Sequence, residues 1–318
     1  MADNTASKKM DTAIASPEVA FRRAEKALFA HYGVDFEEQF LDLKEPALRA
    51  RVLVGGSGPP MLLVHGGLGV AATWAPLMAE LGGFRLYAVD RSGCGLTDAW
   101  DHRSDDLRRH ATGFVRSVLD ALGLDDVPVV ANSMGALWSL WLALEDPGRI
   151  SRLALLGCPA LIAGTSAPIP MRVMSVPGLN SLIFKRMPAG TEGARQSVGM
   201  LGHATTLGRL PGEYFDLGLA ASLMPGYRVH FLSLIERALT ILGPRREYVF
   251  GDDLIGRVEQ PVLLLWGRSD PFGSLDAARK MAGRLPSGRL EIVGTGHLPW
   301  LDDAAACGSL VGEFLRSG

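Results

Sequence analysis

Five short stretches of unbroken apolar sequence constrain what this chain can fold into: Met61-Leu62-Leu63-Val64, Leu86-Tyr87-Ala88-Val89, Val127-Pro128-Val129-Val130, Leu153-Ala154-Leu155-Leu156 and Val262-Leu263-Leu264-Leu265. A strand with one face in water alternates apolar and polar residues. A run without alternation marks a strand covered on both faces, as in parallel sheets. Helical patterns lie between the runs. One is residues 107–122, where Leu107, Phe114, Val115, Val118, Leu119 and Leu122 form a stripe that ends at Gly123. Strand alternating with helix predicts an α/β fold: a mostly parallel central sheet with right-handed crossovers and flanking helices. Ahead of it, Ser16-Pro17-Glu18 reads as the start of an amphipathic helix running to Gly33, and residues 36–43 and 48–54 read as two strands about a Lys44-Glu45-Pro46 turn.

The alternation stops after Pro159. Residues 161–257 carry helical patterns broken at Pro177-Gly178, Pro211-Gly212 and Pro225-Gly226, and are expected to form a helical cap inserted into a core made of 16–160 and 258–318. Residues 1–15 are small and polar and are expected to be a disordered tail. The 32 basic and 34 acidic residues give a net charge of -2, which favours neither nucleic acid nor an anionic membrane surface and suits a small neutral substrate. Cys94, Cys158 and Cys307 are widely spaced with no metal-ligand pattern, so no metal or cofactor is expected, and reduced thiols in a cytoplasmic protein are. No signal-like or membrane-length apolar run occurs, so membrane insertion is not expected. A homodimer is compatible with everything in the sequence.

The strongest chemical signal is Val129-Val130-Ala131-Asn132-Ser133-Met134-Gly135-Ala136, a buried strand entering a small-x-Ser-x-small turn ahead of a helical segment. So sharp a turn presents the serine hydroxyl above the sheet, and larger residues two positions either side would clash where strand and helix cross. Ala131 stands where glycine is commoner, and still meets that steric need. The bland alternative, an ordinary Ser-Met-Gly turn, weakens once partners are found. An acid on a rigid strand end follows Val262–Leu265 as Trp266-Gly267-Arg268-Ser269-Asp270-Pro271, and Asp270 is the candidate to orient a base. The corresponding stretch after the preceding strand, Leu156-Gly157-Cys158-Pro159-Ala160, holds no carboxylate. Near the end, Leu290-Glu291-Ile292-Val293-Gly294-Thr295-Gly296-His297-Leu298-Pro299 brings a histidine on a flexible turn, and His297 is the candidate base.

With Met61–Val64 opening into His65-Gly66-Gly67-Leu68-Gly69, and with Asp90-Arg91-Ser92-Gly93-Cys94-Gly95 after the next strand, the chain resembles the α/β-hydrolase superfamily over residues 34–316. The resemblance implies a Ser133-Asp270-His297 triad in the order Ser, Asp, His. It also implies an oxyanion hole from the backbone N–H groups of Gly67 and Met134, a structural part for His65, and loop-holding hydrogen bonds from Asp90 and Arg91. Leu68, Asn132 and Leu298 are the expected substrate contacts. Cys94 is expected to be buried and inert, and His31, His102, His110, His203 and His230 to be surface or cap residues.

A serine nucleophile disfavours dehalogenase and epoxide hydrolase chemistry, which needs an ester-forming carboxylate. An apolar, methionine-rich cap (Met171, Met174, Met187, Met200) would suit an apolar substrate, and a carboxylesterase or lactonase is the leading expectation. The Asn132-Ser133-Met134-Gly135 string looks like that of the meta-cleavage product hydrolases, which cut carbon-carbon bonds in dienoic acids. Here the oxyanion loop differs, and none of Arg172, Arg186, Arg195 or Arg209 can be assigned as a carboxylate clamp. That chemistry is the second expectation. A cofactor-free perhydrolase and a ligand receptor retaining the fold complete the alternatives.

Overall fold

The computed structural model describes residues 16–67, 69–186 and 190–317; the expected tail, Leu68 and Met187 lie outside them. Its strands are β1 (Phe36–Lys44), β2 (Ala47–Gly56), β3 (Pro60–Val64), β4 (Arg85–Val89), β5 (Val127–Asn132), β6 (Ile150–Leu156), a two-residue ribbon β7 (Leu239–Thr240) with β8 (Gly243–Pro244), β9 (Val262–Trp266) and β10 (Gly288–Ile292). Eight of them form one sheet in the order β1-β2-β4-β3-β5-β6-β9-β10. The β1–β2 and β2–β4 pairs are antiparallel and all later neighbours parallel. The unbroken apolar runs have the expected cause. Along β3, Leu62 and Val64 enter the core on one face of the sheet while Met61 and Leu63 enter the core on the other.

Helices α1 (Pro17–Tyr32), α2 (Ala75–Met78), α3 (Leu107–Leu122) and α4 (Ser133–Glu145) precede or interleave with the parallel strands. The Ser16 hydroxyl caps α1 by accepting the Val19 N–H at 3.3 Å, and the left-handed Gly33 ends it. On α3 the predicted stripe faces inward, capped by Asp106 and closed at Gly123. Helix α4 is buried at every residue from Met134 to Ala143, as befits a helix enclosed by other layers.

Between β6 and β9 the main described elements, apart from the ribbon, are helical: α5 (Ile169–Val173), α6 (Leu179–Arg186), α7 (Thr191–Val198), a π-turn at Gly199–His203, α8 (Gly212–Ser222), α9 (Tyr227–Ala238) and α10 (Asp252–Ile255). Helices α11 (Leu275–Arg284), α12 (Pro299–Asp302) and α13 (Ala304–Arg316) complete the described chain. Among the described residues no helix is long and apolar enough to cross a membrane.

A buried ion cluster joins α1 and β1 to the β4 end. Arg51 on β2, 2% exposed, bonds Glu25 on α1, Asp90 at 3.2 Å and Glu38 on β1 at 3.0 Å. Asp90 also accepts the Ala71 and Leu96 N–H groups, so the cluster fixes the loop that leaves β3. Arg51→Met is expected to cost about 3–5 kcal/mol, because it strands two buried carboxylates rather than removing a whole pair. Urea unfolding at neutral pH checks this.

Candidate active site

Ser133 begins α4 with φ of 50°, left-handed for a residue that is not glycine, directly after the extended Asn132. Strain of this kind persists only where the surroundings over-determine it. Here they do. Ala131 is fully buried, and a Cβ on Gly135 would lie 2.3 Å from the Val64 carbonyl oxygen, so the helix can leave β5 at this angle only without a side chain there. Ser133 is thereby held above the strand ends.

Asp270 follows β9 and His297 follows β10. His297 Nδ1 lies 2.8 Å from Asp270 Oδ2, both side chains are buried, and the imidazole rests on the Phe272 ring at 4.2 Å. The same Oδ2 accepts the Cys158 N–H at 2.8 Å, while Oδ1 accepts the Phe272 N–H at 2.9 Å. Burial alone would raise the Asp270 carboxyl; His297 and the two backbone donors outweigh it and hold the group below the usual carboxylate range. An ionised carboxylate therefore faces Nδ1, which must carry the proton, leaving Nε2 as the basic nitrogen. His297 Nε2 has no hydrogen-bond partner among the described residues, and His297 and Ser133 border the same cavity.

The loop after β3 is held from beneath. His65 Nε2 accepts the Arg91 N–H at 3.0 Å, and the Arg91 guanidinium donates to the carbonyls of His65 and Gly66 at 2.9 and 2.8 Å. Gly66 packs against the Ser133 turn, where a Cβ would meet Asn132 Oδ1 at 2.4 Å. Gly67 has open space above it, and the first-turn N–H of Met134 has no acceptor within its own helix.

The cavity over Ser133 measures about 590 Å³ and is walled by the strand-end loops together with α5 to α9. Among the described residues none of its walls is Asp, Glu, Lys or Arg. Of the arginines considered as carboxylate clamps, Arg195 stacks on Phe215 at 3.9 Å, Arg172 donates to the Leu242 carbonyl, and Arg186 and Arg209 are exposed; none borders the cavity. Asn132 and Leu298 border it. Both Asn132 amide hydrogens are engaged, on the carbonyls of Leu156 and His297, which makes this side chain a brace between β5, β6 and the histidine loop.

The family described as alpha/beta hydrolase fold matches residues 59–304. The chain belongs to the alpha/beta hydrolase family. It is 30% identical over 280 residues to the 2-hydroxymuconate semialdehyde hydrolase of Pseudomonas sp. (strain CF600), covering 84% of this chain and 90% of that one. It is 26% identical to the 2-hydroxy-6-oxo-6-phenylhexa-2,4-dienoate hydrolase of Burkholderia cepacia, covering 88% and 96%. Among solved structures, carboxylesterase CesB from Bacillus subtilis superposes with a TM-score of 0.74 at 21% identity, covering 96% and 100%. The meta-cleavage product hydrolase from Pseudomonas fluorescens IP01 superposes with a TM-score of 0.69 at 19% identity, covering 87% and 97%. At these identities the superpositions speak for the alpha/beta hydrolase fold alone.

Of the five histidines assigned to the surface or the cap by default, His31 is exposed and His203 and His230 lie in the 161–257 segment, though buried; His102 and His110 lie outside it and are buried. Each buried ring has at least one paired nitrogen, while His102 Nδ1 has no partner among the described residues. His102 Nε2 meets His230 Nδ1 at 3.2 Å, His110 Nε2 meets the Ser92 hydroxyl at 2.8 Å, and His230 Nε2 meets Cys94 Sγ at 3.3 Å. Burial pulls His110 and His230 down to about 3 and pushes the Cys94 thiol up to about 12, so this cluster is neutral. His203 does something else. Its Nε2 accepts the Leu298 N–H at 2.9 Å while Nδ1 meets Asp302 at 3.1 Å, and Leu201 accepts the His297 N–H at 2.8 Å. The π-turn is thus bonded to the backbone of the candidate base. No local motif marks His203, Asp302 or the Cys158 N–H for these positions, because each depends on a contact across 95 or more residues.

Proposed function

We propose that this alpha/beta hydrolase is a serine carboxylesterase or lactonase for neutral, largely apolar substrates, with Ser133, His297 and Asp270 as its triad and the 161–257 segment as its cap. The observation that carries the substrate class is the uncharged wall of the cavity above Ser133. An ionised substrate entering it would give up hydration without gaining a counter-ion, a loss of several kcal/mol in an apolar site. A neutral acyl chain instead gains by burial against Met171, Met174, Phe184 and Phe231.

In this reading Ser133 Oγ attacks the acyl carbon as its proton passes to His297 Nε2, and the carbonyl electron pair moves onto oxygen, facing the N–H groups of Gly67 and Met134. Collapse breaks the bond to the leaving alkoxide, which takes the proton from His297. Water repeats the sequence on the acyl-enzyme and releases the acid. Leu298 borders the acyl path.

The relatives named 2-hydroxymuconate semialdehyde hydrolase and 2-hydroxy-6-oxo-6-phenylhexa-2,4-dienoate hydrolase support a second reading, carbon-carbon bond cleavage by the same serine. A series of p-nitrophenyl esters and lactones of increasing chain length, assayed beside a 2-hydroxy-6-oxo-dienoate, separates the two. The expected result is a kcat/KM for a medium-chain ester at least roughly tenfold above that for the dienoate, equivalent to about 1.4 kcal/mol. A sharp preference for the dienoate overturns the ester reading.

A further inference from the structure

Arg91 is wholly buried, and among the described residues no carboxylate lies within ion-pair distance of it. Its neighbours are the Trp138 ring, 4.6 Å from Cζ, and the carbonyls of His65 and Gly66; among the described residues Nη1 has no partner. Burial draws its pKa down, yet a guanidinium stays protonated. An uncompensated buried cation costs stability, and neutral donors could hold a loop as well.

One of its donors joins two others on a single oxygen. The Gly66 carbonyl oxygen accepts Arg91 Nη2 at 2.8 Å, His65 Nδ1 at 2.8 Å and the Gly69 N–H at 3.3 Å. His65 can donate from Nδ1 because its Nε2 is occupied in accepting the Arg91 N–H. Burial and the neighbouring Arg91 hold this imidazole well below its ordinary pKa, hence neutral. The carbonyl of Gly66 and the N–H of Gly67 are two ends of a single conjugated peptide unit. Donors stacked on the oxygen polarise that unit and strengthen its N–H as a donor, the cooperative effect of chained hydrogen bonds at low dielectric.

We propose that Arg91 is an electrostatic positioning residue of the oxyanion site: through the Gly66–Gly67 peptide its buried charge strengthens the Gly67 N–H, and it is compensated only when the tetrahedral oxyanion forms. A charge that gains little from a neutral ester carbonyl and much from an oxyanion lowers the barrier rather than tightening substrate binding. The proposal rests on the serine-hydrolase reading above.

The test compares wild type, Arg91→Met and Arg91→Lys on a p-nitrophenyl ester. It also measures binding of a trifluoromethyl ketone, which forms a tetrahedral oxyanion on serine, against its methyl ketone counterpart, with a thermal midpoint for each protein. Arg91→Met is expected to lower kcat roughly 10²-fold with KM moving less than about threefold. It should weaken the trifluoromethyl ketone in parallel, spare the methyl ketone and leave the thermal midpoint unchanged or raised. Arg91→Lys, which keeps the charge but not the two-pronged donation, should fall between. A folded Arg91→Met with kcat within about threefold of wild type, or with both ketones weakened equally, overturns the proposal. If Arg91→Met does not fold, Arg91→Lys decides: a lowered ketone ratio supports the proposal and a wild-type ratio overturns it. Turnover and trifluoromethyl ketone binding that vanish in Ser133→Ala secure the underlying reading separately, so failure of the two ideas is told apart.

Discussion

Ser133→Ala is expected to lower kcat on a p-nitrophenyl ester by about 10⁴-fold or more while leaving the thermal midpoint and circular dichroism spectrum unchanged. The size follows from there being no substitute nucleophile. Among the described residues six serines and threonines border the cavity, and five of them, Thr73, Thr165, Ser166, Ser197 and Ser222, donate their hydroxyls to backbone carbonyls. Ser133 alone among these sits at the left-handed start of a helix. The preserved fold follows from the same geometry, since alanine has the Cβ that serine has and the same cost at φ of 50°. Steady-state kinetics and intact-mass labelling with an alkyl fluorophosphonate check both halves. Retained turnover, or labelling at another residue, would sink the triad assignment.

The contrast between what could and could not be read from the chain follows the range of the interactions. The strand runs were legible because burial on both faces leaves a local mark, and Leu62 and Leu63 do point into opposite cores. The Ser133 turn was legible because a Cβ at position 135 would lie 2.3 Å from the Val64 carbonyl oxygen, a demand written into neighbouring residues. Substrate contacts were less so. Asn132 sits beside Ser133 in sequence and borders the cavity, but nothing local shows that its amide is committed to Leu156 and to His297, 165 residues away. His102 and His110 were misassigned for a related reason. A histidine pattern carries no sign of whether its nitrogens will find partners such as Ser92, Cys94 or Asp302 in the folded chain. The 161–257 segment is the extreme case, because the cavity its helices wall is assembled from many separated positions.

Asp270→Asn should reduce kcat by at least about 10²-fold, through loss of charge more than loss of geometry. The carboxylate accepts three N–H groups: His297 Nδ1 and Cys158 on Oδ2, Phe272 on Oδ1. An amide can satisfy two of them by turning its oxygen toward His297 and Cys158 and its NH₂ toward Phe272, which sets one donor against another. The reverse orientation satisfies only Phe272. The first orientation keeps the proton on Nδ1 and His297 in place, so KM should stay close to wild type. What is missing is the negative charge that stabilises the imidazolium formed as Ser133 gives up its proton. The change also has a pH signature in stability. Because folding lowers the Asp270 pKa, the wild-type carboxylate contributes stability that is complete above the unfolded value near about 3.9 and lost as pH falls through the lower folded value. Wild type should therefore exceed Asp270→Asn in urea midpoint at neutral pH, with the gap closing on acidification below that value. A constant gap across the acid range would show that the Asp270 carboxylate is not held ionised by His297 in the way its hydrogen bonds require.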